Sequence, residues 1–331
     1  MRIVLDAMGS DNYPDPEIQA VINAAEIFDD NFILVGDTSI IEPKFKSLSS
    51  KSIPVEFVHA SEVIEMWDKP VESAQIKPNN SMAIGIKLLK EKRGDVFITA
   101  GNTGGAMFNA LRNLGCLKGV QRPALPGIFP TKFGRCVVLD IGANVDCRPE
   151  FLLQFAIMGE IYSETVLGVT NPRIGLLANG EEPGKGNQLV KDTYPLLEKS
   201  GLNFIGNVEG KELFGGEVDV VLTDGFTGNI LLKSSEAIAK LITGVLKEEL
   251  MNSVQTKIGA FLAKPAFSKI KNLVDPGDVG AVPLLGIDGL VFIGHGRSNA
   301  RALTNAIRNS REAVKIDLLI KIREAIQKRS I

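Results

Sequence analysis

Short apolar runs rich in β-branched residues alternate with helical patterns along this chain, and that alternation restricts the fold more than any other feature. Strand-like runs fall at 2–7, 32–36, 55–59, 95–99, 136–141, 173–178, 204–208, 218–223 and 289–294. Helical spacing of apolar residues fills most of the intervals. Parallel strands need long crossovers, and helices supply them. The expected fold is therefore α/β and three-layered, with a largely parallel sheet, helices on both faces and ligands beyond the carboxyl ends of the strands. No internal repeat, low-complexity tract or linker divides the chain, so residues 1–331 are read as a single catalytic unit.

The loops after the strands carry the chemistry. The run 95–99 ends in Ala-Gly101-Asn102-Thr103-Gly104-Gly, and a helix pattern follows. Glycines admit a close ligand, Asn102 or Thr103 can cap the helix, and its first N–H groups point outward with the positive end of the dipole behind them. That is a seat for phosphate or carboxylate. Asp6 and Asp11 flank the first strand end, where they could orient a cation or a substrate hydroxyl or serve as ordinary turn residues. Other Gly/Asn-rich ends are Gly-Ala-Asn144, Asn-Gly-Glu-Glu-Pro-Gly-Lys185, Asp224-Gly-Phe-Thr-Gly-Asn229 and His295-Gly-Arg-Ser-Asn. Lys233 and Glu236 follow on the helix after Asp224. Two motif matches fail. The 180–186 loop is one residue short of a nucleotide P-loop and ends in Gly186, and the first strand-to-helix turn has no dinucleotide fingerprint.

A net charge of −2 and the absence of aromatic-basic interleaving argue against a nucleic-acid partner. No apolar run reaches the ~20 residues of a membrane span, and no leader peptide is expected. Three cysteines without a C-x-x-C pair fit a reducing cytoplasm and argue against a zinc cage; the two histidines give no metal pair.

Taken together, DAMGSD at 6–11, AGNTGG at 100–105, LDIGANVDCRPE at 139–150, QFAIMGEIY at 154–162, GLLANGEEPGKGN at 175–187, FIGNVEG at 204–210, DVVLTDGFTGNILLKSSEA at 219–237 and GHGRSNA at 294–300 resemble the bacterial phosphate acyltransferase (PlsX) family. The resemblance runs from the first strand to the C-terminal helix. It implies transfer of a fatty acyl group from acyl-acyl carrier protein to inorganic phosphate, giving acyl phosphate for phospholipid synthesis. It also implies a dimeric fold like that of isocitrate and isopropylmalate dehydrogenases, without metal or redox cofactor, and a membrane glycerol-3-phosphate acyltransferase downstream. Ser10, Gly105 and Lys-Ser-Ser-Glu-Ala at 233–237 depart from the family's usual Gly, Ala and Lys-Thr-x-Glu-Gly.

Phosphate is already an anionic nucleophile and a thiol leaves near pKa ~8.5, so neither a strong base nor a strong acid is required. Positioning and oxyanion stabilisation remain. The candidates for phosphate and substrate are Asp6, Gly9, Asp11, Gly101, Asn102, Thr103, Gly104, Lys185 and Glu236. Lys233 would neutralise charge, Asn144, Asn229 or His295 would donate to the oxyanion, and Asp224 and Glu236 would orient the lysines. Cys147, just before a helix start, offers a covalent alternative. A dehydrogenase on a similar fold and a non-catalytic carrier-protein scaffold are the rival readings.

Residues 251–274 break the rhythm. Val254, Ile258, Phe261 and Leu262 form an apolar stripe, Lys257, Lys264 and Lys271 lie on another face, and Pro265 should interrupt the helix. Such a protruding segment suits an anionic bilayer at the inner face of the cell membrane, the acidic carrier protein, or a second subunit.

Overall fold

The computed structural model describes residues 1–49, 53–267 and 276–329. The strands divide between two sheets. The first runs β10 (Ala281–Pro283), β11 (Val291–Gly294), β4 (Val96–Thr99), β1 (Arg2–Asp6), β2 (Asn31–Gly36), β3 (Val55–His59). The second runs β5 (Gly127–Pro130), β6 (Arg135–Leu139), β9 (Val220–Leu222), β7 (Ile174–Leu177), β8 (Phe204–Val208). Pairing is parallel except at one edge of each sheet, where β10 runs against β11 and β5 against β6. Only four residues join β5 to β6, a hairpin length that leaves no room for a crossover.

Central strands read as continuous apolar runs because helices cover both faces. Ile3, Val4 and Leu5 of β1 and Val137, Val138 and Leu139 of β6 are completely buried. Helix α6 (Pro149–Tyr162) is apolar nearly all round and accordingly buried, packed against β6, β9 and the last helix, Leu318–Lys328. Antiparallel bridges between Ala124 and Leu285 and between Cys116 and Ile287 tie the segment before β5 to the turn after β10. The edge strands β5 and β10 are thereby brought close to each other.

The α/β class and the largely parallel pairing agree with the expectation. The division into two sheets, and the strands β5 and β10, go beyond it. Each ends in proline and has a glycine at or just before its start, residues that punctuate a chain rather than mark a strand, so local spacing does not reveal them.

Candidate active site

The loops leaving β1 and β4 are built against each other. Asp6 is fully buried, and its carboxylate accepts the Thr99 hydroxyl at 2.7 Å and the Met8 N–H at 3.0 Å. Burial pushes this carboxyl up, and hydrogen bonds from Thr99, Ser81 and Met8 oppose the shift. A Cβ on Gly9 would stand 2.9 Å from the Gly101 nitrogen, so these glycines let two backbones meet. Asp6 therefore organises the loops from beneath rather than facing a substrate. Asn102 caps α5 (Thr103–Asn113): its Oδ1 accepts the Gly105 N–H at 3.0 Å, and its Nδ2 donates to the carbonyls of Glu65 and Asp68, both at 3.2 Å. The side chain expected to touch phosphate is thus used as a cap and a stitch. Among the described residues, the N–H groups of Thr103 and Gly104 are left at the head of the helix without a partner.

The loop leaving β6 is organised by a second buried carboxylate. Asp140 accepts the N–H groups of Leu125, Gly142 and Ala143 at one oxygen, and the Asn144 N–H and Nδ2 at 2.6 and 2.9 Å at the other. Asn144 Nδ2 also donates to the Pro123 carbonyl at 2.7 Å. Both amide hydrogens are then used, which corrects the expectation that Asn144 donates to an oxyanion. Asp224 does not orient a lysine either. It caps α9 (Gly225–Leu250), its two oxygens accepting the Thr227 N–H and hydroxyl at 2.7 and 2.9 Å. Asn229, one turn into α9, is exposed and faces Gly142.

Helix α9 carries the charged cluster. One Glu236 oxygen lies 3.0 Å from Lys233 Nζ, and the other 4.0 Å from His295 Nε2 at the end of β11. Desolvation by the surrounding loops, then the Lys233 charge, pushes His295 below its ordinary value and Glu236 pulls the other way, while the side chain itself is 55% accessible. The His295 loop is held by the Asp11 N–H, which donates to the Gly296 carbonyl at 2.7 Å. Thr103, Glu236 and His295 line one cavity of about 330 Å³, whose other walls include Leu125, Ile128, Phe129, Phe214, Leu232 and Ile293. The head of α5, the His295 imidazole and Glu236 with its partner Lys233 thus meet at a largely apolar recess.

A family model described as "Fatty acid synthesis protein" matches residues 1–321. A phosphate acyltransferase from Acidobacterium capsulatum is 47% identical over 311 residues, covering 94% of this chain and 92% of the relative. One from Pelotomaculum thermopropionicum is 43% identical over 327 residues, covering 99% and 95%. The chain belongs to the phosphate acyltransferase family. Among solved structures, a phosphotransacetylase from Streptococcus pyogenes superposes with a TM-score of 0.61 at 15% identity, covering 95% of this chain and 94% of that one. EutD phosphotransacetylase from Staphylococcus aureus gives 0.59 at 17%, covering 96% and 94%. At such identities the likeness shows the shared fold.

The remaining expectations about this phosphate acyltransferase chain fall out differently. Cys147 is a poor nucleophile: burial, then the Asp140 charge, pushes its thiol up to about 12. Lys185 is exposed on the loop after β7, which β9 separates from β6 and the cavity. Glu181, Glu209 and Glu212 cluster on that side, with the Lys211 ammonium among them at 2.5 to 3.5 Å. In α10 (Val254–Leu262) no residue is buried, and Val254, Ile258, Phe261 and Leu262 are 58 to 76% exposed. The helix stops before Pro265, as anticipated; Lys257 and Lys264 are exposed, and 268–274, including Lys271, lie outside the described residues. No described helix is long and apolar enough to cross a membrane. The cavity itself is not legible in the sequence, because much of its wall comes from β5 and β10, whose glycines and prolines read as breaks.

Proposed function

We propose that this protein moves a long-chain acyl group from acyl-acyl carrier protein to inorganic phosphate, giving acyl phosphate for phospholipid synthesis. One observation carries the reading: Thr103, at the head of α5, lines the same cavity as Glu236 and His295. The Thr103 and Gly104 N–H groups and the Lys233 ammonium hold phosphate. A phosphate oxygen attacks the thioester carbon; the C–O bond forms, the C–S bond breaks, and the thiol departs with a proton. The exchange is redox-neutral. His295 and Asn229 donate to the oxyanion while Glu236 holds Lys233 and His295 in place. Release of free thiol from palmitoyl-acyl carrier protein, with and without phosphate, tests this: release should require phosphate, and phosphate-independent release would point to hydrolysis.

In the same reading, residues 1–331 work as one catalytic unit in the cytoplasm, and α9 with α10 form its partner-facing arm. Ile238, Leu241, Ile242 and Val245 expose an apolar face on α9 that suits a second copy of the chain. The α10 stripe suits peripheral contact with the inner face of the membrane, where the product meets the glycerol-3-phosphate acyltransferase. Lys257 and Lys264 suit the anionic lipid or the acidic carrier.

A further inference from the structure

We infer that the cavity beside Thr103 holds the acyl tail and that Phe129 and Phe214, at its far end, limit the length of tail admitted; this rests on the acyl transfer proposed above. The groups assigned to the reaction lie at one end. Thr103 and His295 come from the carboxyl ends of β4 and β11, where the reacting groups meet. From there the recess passes between β5 and β10, the edge strands of the two sheets, and under α9. Leu232, Ser235, Glu236 and Ala239 recur at i, i+3, i+4 and i+7, so one face of α9 looks into it. The Ser235 hydroxyl donates to the Leu231 carbonyl at 2.7 Å and adds no unpaired donor to the wall. Of the other charged residues on the lining, Asp278 pairs with Arg301 at 2.5 Å, and Arg135, opposite Pro130, is exposed to solvent at the other end.

The register gives the direction. Gly127 pairs with Val138 near the carboxyl end of β6, and Pro130 pairs with Arg135 at its start. Following β5 from Gly127 to Pro130 therefore leads ~10 Å away from the end that holds the reacting groups, at ~3.3 Å per residue. Phe129 lies along that path, and its ring meets Phe214 edge-on with centroids 6.2 Å apart. About 330 Å³ is within the range of small-molecule sites, roughly 300–1,000 Å³. Each methylene buried there is worth about fourfold in affinity.

The test compares acyl donors from four to eighteen carbons with wild type and Ala239→Phe, whose ring would enter the recess from α9. The ratio of kcat/KM for long over short donors should fall roughly tenfold or more in the variant, the worth of a few methylenes. An equal loss at every length, or no change, would overturn the assignment. Ala239→Leu repeats the comparison with a smaller side chain if the ring prevents folding. Displacement of fluorescent cis-parinaric acid by palmitate reads the cavity without catalysis. Palmitate should bind more weakly to either variant, and undiminished binding would count against the assignment. If wild type makes no acyl phosphate from any donor, the transfer reading fails while this binding comparison still decides whether the recess takes an alkyl chain.

Discussion

A Cβ placed on Gly228 would stand 1.9 Å from the carbonyl oxygen of Asp140, so the first turn of α9 lies directly on the loop leaving β6. That contact fixes where Lys233 and Glu236 emerge. Backbone cannot yield as a side-chain tip can. Gly228→Ala is expected to cost ~2 kcal/mol or more and to lower acyl phosphate formation roughly tenfold. Thermal unfolding and initial rates check this; unchanged values for both would show that the loop gives way freely.

Lys233 and Glu236 form an exposed ion pair, with side chains 56 and 32% accessible. Exposed pairs contribute ~0–1 kcal/mol, so Lys233→Ala should leave stability nearly untouched. Its effect should appear as a raised KM for phosphate and a roughly 10- to 100-fold fall in kcat/KM. A normal phosphate KM would reduce the pair to surface decoration.

Asn144 makes the opposite prediction. Its Nδ2 holds Asp140 and the Pro123 carbonyl together, and Asn144→Ala leaves two buried acceptors short of a donor. A stability loss of ~1–3 kcal/mol is expected, visible in denaturant unfolding. A collapsed kcat at wild-type stability would restore the residue to the oxyanion.

Glu17 lies beneath the loop after β1, fully buried, accepting the Ser10 N–H at 3.0 Å. Burial pushes its carboxyl up from 4.5 to about 7. A carboxyl held above its unfolded value binds its proton more tightly in the folded chain. Its stabilising share is therefore full below the unfolded value and is lost as pH rises through about 7, a swing of ~3 kcal/mol. Glu17→Gln should flatten the decline in unfolding free energy between about pH 5 and 8. Parallel curves for variant and wild type would contradict this.

Much of this was legible in the sequence because it is local. The α/β class follows from strand runs whose two covered faces demand unbroken apolar residues, and Asn102 announces a cap by standing before the helix pattern. What a cap leaves for a ligand is not local. Asn102 and Asn144 sit in the right loops, yet their amide groups are taken by the carbonyls of Glu65, Asp68 and Pro123, from segments that sequence spacing does not bring together, while Asp224 is spent on Thr227 one turn away. Cys147 looked activated by its helix start, but the nearby Asp140 and its burial determine its thiol. The cavity depends on which edges two sheets present to each other, and no single strand encodes that.

Phe261 is 76% exposed on α10. If this stripe meets a bilayer, Phe261→Glu should lose most flotation with anionic liposomes and keep its rate on soluble donor. Flotation equal to wild type would remove α10 from the membrane.

The most direct measurement is the product balance with palmitoyl-acyl carrier protein, phosphate and a hydroxylamine trap. The account predicts one palmitoyl hydroxamate for each thiol released, both saturating with phosphate and both weakened by Lys233→Ala. Thiol release that proceeds without phosphate and ends in free palmitate would contradict it.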